Sequence, residues 1–233
     1  MKAPAGPRDL VVAVIGHGRI GRQVLAHLDA APGLTPGRVL TRSGRPDTGD
    51  ADDFLSTPCD LILDTAGPGA LRAHGAACLA HAPLWSVGAA ALVDDSLRDR
   101  LAGVARAHGH GLRLFGPWVA GVAQVPPALA TGLMLRISRP GSGAEFAGPL
   151  RAAAAAFPDE LNFAVAAALC GPGLEATRVD MTDGPEHRIE ARLDTRIGCF
   201  TSTMAFAPGG LHPTAQALIA GLEALRPGIG YGA

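Results

Sequence analysis

Leu10-Val11-Val12-Ala13-Val14-Ile15-Gly16-His17-Gly18-Arg19-Ile20-Gly21 is the stretch on which the fold turns. Its first six residues are apolar and rich in β-branched side chains, with no polar alternation. That is the pattern of a parallel strand buried on both faces. After Gly21, apolar residues recur at helical spacing through Val24, Leu25 and Leu28. The order strand, glycine turn, helix is the context in which G-x-G-x-x-G predicts a dinucleotide site. Gly16 makes the tight turn, Gly18 admits a pyrophosphate to the backbone, and Gly21 lets helix and strand pack closely. His17, Arg19 and Ile20 complete the turn. The helix N-terminus supplies free N–H groups and the positive end of a dipole to the phosphates.

Outward from this turn, strands are predicted at 37–41, 60–65, 84–87 and 112–115, and helices at 70–81 and 94–107. Alternating strands and helices predict a Rossmann-type, doubly wound parallel sheet covered on both faces. Ligands in such folds bind beyond the carboxyl ends of the strands. The loops at 41–43, 66–69, 86–89 and 116–121 are therefore expected beside the glycine turn. They make Ala66, Gly67, Ser86, Val87, Gly88 and Pro117 candidate cofactor contacts. About twenty residues beyond the turn, where an acidic side chain selects NAD through the ribose hydroxyls, stand Thr41, Arg42 and Ser43. An arginine between two hydroxyls suits a ribose 2′-phosphate, so NADP(H) is favoured and NAD(H) is the alternative.

The pattern changes after Phe115. A strand at 133–138, helices at 150–157 and 159–170, and strands at 176–182, 187–193 and 197–206 predict a second α+β domain with a largely antiparallel sheet. A hairpin loop is expected at Asp194-Thr195-Arg196. A last helix, 212–225, is expected to return to the first domain. The domain expectation is 1–115 with 211–233 for the dinucleotide, and 116–210 for substrate and dimerisation.

Composition narrows the function. The chain has 233 residues, a formal net charge of −1, and is 48% hydrophobic and 18% charged. That balance suits a small-molecule enzyme and gives no reason to expect a nucleic-acid partner. No apolar run reaches the length of a membrane span, and the first nine residues lack the apolar core of a secretory signal. Four scattered cysteines without a C-x-x-C pair read as reduced core residues, and a cytoplasmic location is expected. The one lysine is Lys2, so no lysine base or Schiff-base lysine is expected and acid–base work falls to other groups.

Eight histidines remain. His108-Gly109-His110-Gly111 reads as a turn rather than a metal site, and no zinc pattern occurs. His27, His74 and His81 fall on predicted helices as surface residues. His187 opens a predicted strand, sharing a face with Ile189 while Arg188 and Glu190 point the other way. An imidazole, with an ordinary pKa of about 6.5, is a natural acid–base group for hydride transfer. Spacing alone leaves it either catalytic or a plain strand residue.

Over most of its length the chain resembles the L-aspartate dehydrogenase family. GHGRIG, DLILDTAGPGALRAHG and WSVGAAALVDD resemble that family's glycine turn, its "E-A-A" strand end and its "S-V-G-A-L-x-D" segment. Phe157-Pro158-Asp159-Glu160-Leu161-Asn162-Phe163-Ala164 resembles "F-P-K-N-x-N-V-A". His187-Arg188-Ile189-Glu190 resembles "H-E-I-E", the segment that carries the catalytic histidine. The resemblance implies an NAD(P)-dependent enzyme moving hydride between the Cα of an amino or imino acid and nicotinamide C4. It implies His187 as the acid–base residue, Asn162 as a contact to the nicotinamide end, and a homodimer. The chain departs from the pattern on the substrate side. "G-A-I-G-G-L-D" is replaced by Gly116-Pro117-Trp118-Val119-Ala120-Gly121-Val122-Ala123, and "N-P-K-T-S" by His212-Pro213-Thr214-Ala215-Gln216. Rival expectations are a non-catalytic dinucleotide-binding sensor or scaffold, and a reductase of another carbonyl or imine.

Overall fold

The expected strand, Leu10–Ile15 (β1), is an interior strand, second in order, of a parallel five-stranded sheet. The computed structural model describes residues 9–116, 125–157, 159–207 and 209–225. The chain divides into two units, taken in turn below.

The first unit contains the described residues of 9–88, 94–115 and 212–225. Its sheet adds Leu34–Leu40 (β2), Leu61–Asp64 (β3), Leu84–Ser86 (β4) and Leu112–Leu114 (β5), in the order β2-β1-β3-β4-β5. Every pairing is parallel. The direction of winding reverses between β1 and β3, the switch point where open α/β sheets take their ligands. Helices Arg19–Ala30 (α1), Ala51–Leu55 (α2), Pro68–His81 (α3) and Asp95–His108 (α4) connect the strands. Asp94 caps α4 by accepting from the Leu97 N–H at 3.1 Å, and Gly109 ends it in the left-handed conformation. The returning helix is Pro213–Glu223 (α7), with His212 as its cap. Its Ala215, Leu218 and Leu222 join Val12, Val14, Val24, Leu28 and Leu63 in one buried core. At Gly221 a Cβ would meet the Phe115 and Trp85 rings at 2.9–3.0 Å, so this helix lies hard against the sheet. His27 is no free surface residue: its Nε2 lies 2.9 Å from the Glu223 carboxylate of α7.

The second unit contains Ala89–Val93, a 3-10 turn, and the described residues of Gly116–Leu211. Its strands are Ala130–Arg139 (β6), Phe146–Pro149 (β7), Thr177–Asp183 (β8), Arg188–Thr195 (β9) and Gly198–Ala205 (β10), in the order β10-β9-β6-β8-β7. Only β6 and β8 run parallel. Alternation sets two faces. Leu133, Leu135, Ile137, Val179, Met181, Ile189, Ala191 and Leu193 are buried on one. Arg136, Arg178, Thr182 and Arg192 are exposed on the other. Helices Leu150–Ala156 (α5) and Asn162–Leu169 (α6) complete the unit. The second begins at Asn162, three residues later than expected, because Asp159 and Glu160 form a turn. The strand at 146–149 was not expected from the sequence.

Candidate active site

The loops that leave β1, β3 and β4 interlock. Gly16 has φ of +99°, a conformation that favours glycine, and a Cβ there would lie 3.0 Å from Ala66 Cβ and Thr65 Oγ1. A Cβ on Gly21 would fall onto the Gly16 carbonyl oxygen. One on Gly88 would come within 2.6 Å of the Gly67 carbonyl. The Thr65 hydroxyl locks the arrangement by donating to the carbonyl oxygens of Ile15 at 2.8 Å and Gly16 at 3.2 Å. Close approach of backbone to backbone therefore excludes side chains from these glycines.

Gly18 behaves differently. A Cβ there would meet nothing within 4 Å. It is the N-cap of α1, and no side chain caps the helix. The first-turn N–H groups have no intrahelical partner. An open surface over uncapped amides is what a pyrophosphate requires, so the turn fits a dinucleotide.

Beneath the loops lies Asp64, 1% exposed. Its Oδ1 accepts from the Ala66 N–H at 3.0 Å and its Oδ2 from the Ser86 hydroxyl at 2.6 Å. Ser86 Oγ in turn accepts from the Gly88 N–H at 2.9 Å. Burial pushes the Asp64 carboxyl up to about 6, against the downward pull of the Ser86 hydroxyl and the Ala66 and Gly67 amides. Ser86, an expected cofactor contact, is fully buried and its hydroxyl is engaged with this carboxylate.

After β2, Thr41 Oγ1 donates to the Arg45 carbonyl at 2.8 Å, and Ser43 lies 3.4 Å from Thr41 Oγ1. Arg42 is exposed, and among the described residues it makes no ion pair. The acids of this loop are already engaged. Asp47 accepts from the Val39 N–H and pairs with Arg38, both at 2.9 Å, while Asp50 caps α2.

In the second unit, Asn162 stands at the start of α6. Its Oδ1 accepts from the Ala90 N–H at 2.9 Å and its Nδ2 donates to the Asp159 carbonyl at 3.3 Å. Asn162 thus fixes the 3-10 turn that follows Gly88 in the chain. His187 directly precedes β9. Its carbonyl accepts from the Phe206 N–H at 2.9 Å, and its ring lies 4.4 Å from the Phe206 ring. Its Nε2 is buried with no hydrogen-bond partner among the described residues, as is Arg139 Nε. Arg139 pairs with Glu160 at 2.6 Å. Burial first, and the Arg139 charge second, hold the His187 imidazole below the ordinary histidine value. The ring is therefore neutral near pH 7 and can accept a proton.

The structure thus brings together Gly16, Gly18, Gly21, Ala66, Gly67 and Gly88 in one unit. It places Asn162 and His187 in the other; Pro117 lies outside the described residues. Sequence reasoning missed Asp64, Thr65, Arg139 and Glu160. For Asp64 a signal existed: an acid closing an apolar run, with a serine closing the next strand. Among the described residues no group of three or more His, Cys, Asp or Glu side chains could hold a metal ion. No helix of the described residues is long and apolar enough to cross a membrane.

Comparison with known proteins adds the family. The NAD binding domain of homoserine dehydrogenase, as a family model, matches residues 16–114, which contain the glycine turn and the Asp64 layer. L-aspartate dehydrogenase from Ruegeria pomeroyi is 35% identical, over 78% of this chain and 77% of the relative. L-aspartate dehydrogenase 2 from Bordetella pertussis is 30% identical, over 90% of this chain and 92% of the relative. Among solved structures, aspartate dehydrogenase from Thermotoga maritima superposes with a TM-score of 0.74 at 17% identity. That match covers 97% of this chain and 100% of the other, and shows the shared fold. With the interlocked glycine turn and this identity over most of its length, the chain belongs to the L-aspartate dehydrogenase family and is an NAD(P)-dependent amino-acid dehydrogenase.

Proposed function

We propose that the chain interconverts an acidic L-amino acid and its 2-oxo acid, with L-aspartate the first substrate to test, and that it prefers NADP(H). The identity to L-aspartate dehydrogenases over most of the chain carries the substrate class. Exposed Arg42, with Asp47 and Asp50 both engaged by the protein, supports binding of a 2′-phosphate. In the forward direction the amino acid, oxidised cofactor and water give the oxo acid, ammonium, reduced cofactor and a proton. A bound oxidised nicotinamide would supply the acceptor for the hydride that leaves the substrate Cα.

The protein's part is to bind and to move protons. Gly16, His17, Gly18, Arg19, Ile20 and Gly21 form the pyrophosphate turn. Thr41, Arg42 and Ser43 form the adenosine end, and Ala66, Gly67, Val87 and Gly88 the loops beside it. Asn162 acts by holding Ala90 and so the segment after Gly88. His187 is the acid–base residue: neutral near pH 7, it takes the proton from the water that adds to the substrate imine. It later returns the proton to the departing ammonia.

The domain division inferred is 1–115 with 211–233, and 116–210. A cytoplasmic homodimer is inferred, the dimer from the family resemblance and the location from the cysteine usage.

The test is cofactor reduction by the purified chain with L-aspartate, and cofactor oxidation with a panel of 2-oxo acids plus ammonia, each with both cofactors. Turnover with L-aspartate, faster with NADP+, is the expected result. Turnover confined to a non-acidic oxo acid would overturn the substrate class. A clear NAD+ preference would overturn the role of Arg42.

A further inference from the structure

The Asp64 layer has no part in the chemistry described above, yet its carboxylate is 1% exposed and bonded through both oxygens. A carboxylate taken out of water is costly unless its lone pairs are satisfied. Here they are: by the Ala66 amide at 3.0 Å and the Ser86 hydroxyl at 2.6 Å, with the Gly88 amide bonded to Ser86 at 2.9 Å. The groups it gathers are the backbones of the two loops that press on each other at Gly67 and Gly88. The Ala66 side of this pair also abuts Gly16 of the pyrophosphate turn. We propose that Asp64, as the carboxylate, is a positioning residue for the dinucleotide, holding the 66–67 and 86–88 loops in their binding shape from below. The proposal rests on the dinucleotide site inferred for the glycine turn.

The wiring fits only one protonation state. Ionised Asp64 accepts from Ser86, leaving Ser86 Oγ free to accept from Gly88, so every donor has a partner. A proton on Oδ2 must be donated to Ser86 Oγ, and the serine hydroxyl then loses its acceptor in a buried place. Burial brings that choice to about pH 6. The groups facing Asp64 do not compete there. β1 offers Ile15 and β4 offers Ser86. The titratable neighbour on α3 is Cys78, whose thiol burial raises to about 12. Behind it, Cys59 is raised to about 11. Exposed His17, in the glycine turn, is a further ionisable side chain of this site.

The experiment is calorimetric titration of the full chain with NAD+, whose pyrophosphate keeps its charge across the range, from pH 8 to pH 5. The parent's affinity should be flat above about pH 7 and fall about tenfold by pH 5, as one linked proton requires. Asp64→Asn should bind roughly tenfold more weakly at pH 8, because its amide sets donor against donor, and should lose the pH limb. Ser86→Ala removes a bond that lowers the carboxyl pKa, so its limb should move to higher pH. This variant decides the matter if Asp64→Asn does not fold. An unchanged limb in both variants assigns the titration to a group other than Asp64 and overturns the proposal. So does parental affinity in Asp64→Asn, or a parent without a limb near pH 6. If neither NAD+ nor NADP+ binds the parent at pH 8, the dinucleotide reading itself falls, a result distinct from binding that ignores Asp64.

Discussion

His187 shows how a strand residue becomes an acid–base candidate. Its backbone is held in the β9–β10 ladder through Phe206, and its ring lies against that phenylalanine. Partial burial and the Arg139 guanidinium both disfavour the imidazolium. His187→Ala should lower turnover of a proven substrate by roughly 10²–10⁴-fold, the usual size for a general acid–base group. Cofactor affinity should hardly change. In the parent the rate should fall as pH drops through the depressed histidine pKa. Arg139→Met removes a repelling cation and should move that limb to higher pH. Parental turnover in His187→Ala would make the histidine a structural strand residue. A limb unmoved in Arg139→Met would mean that Arg139 does not tune it.

At the scale of elements, the glycine turn separates two kinds of requirement. Gly18 has extended backbone and empty space where a side chain would go, whereas Gly21 has no room for a Cβ. Gly18→Val should therefore leave the melting temperature near that of the parent while abolishing binding of both cofactors. Gly21→Val should unfold the turn and depress melting by several degrees. If Gly18→Val binds NADP+ as the parent does, the turn carries no pyrophosphate. The elements that were legible in the sequence share a cause. β1, β3 and β4 are continuous apolar runs closed by Gly16, Asp64 and Ser86, and α4 is bracketed by an aspartate cap and a glycine stop. What was not legible lacked those signals. β7 is a four-residue edge strand, Phe-Ala-Gly-Pro, with no apolar alternation and a proline that only an edge tolerates. The Pro158-Asp159 pair advertises a helix start, yet Glu160 turns aside to Arg139 and the helix waits for Asn162. Ser86 was visible as a polar strand end, but its partner lies 22 residues away, and a contact of that range has no local signature. Asp64 carried a local signal, an acid closing an apolar run, but nothing local paired it with Ser86.

For the whole molecule, His187 and Asp64 link stability to pH in opposite directions. His187, with a depressed folded-state pKa, contributes stability that is present above the ordinary histidine range and lost as pH falls through the folded value. Asp64, raised from 3.8 to about 6, contributes stability that is fully present below its ordinary value and lost as pH rises through about 6. Two pKa units correspond to roughly 3 kcal/mol. The parent therefore carries an ionised, desolvated carboxylate near neutral pH that Asp64→Asn does not. The amide's mismatched hydrogen bond costs the variant a constant amount at every pH, so the change in the difference between the two proteins isolates the carboxyl. Urea unfolding of both, from pH 4 to pH 7, should show the parent losing about 2–3 kcal/mol relative to Asp64→Asn as pH rises. A difference that stays flat would mean that Asp64 titrates alike in the folded and unfolded chain. A falling difference together with a lost cofactor limb in Asp64→Asn would mean that the fold keeps this costly charge for what it does to the loops above it.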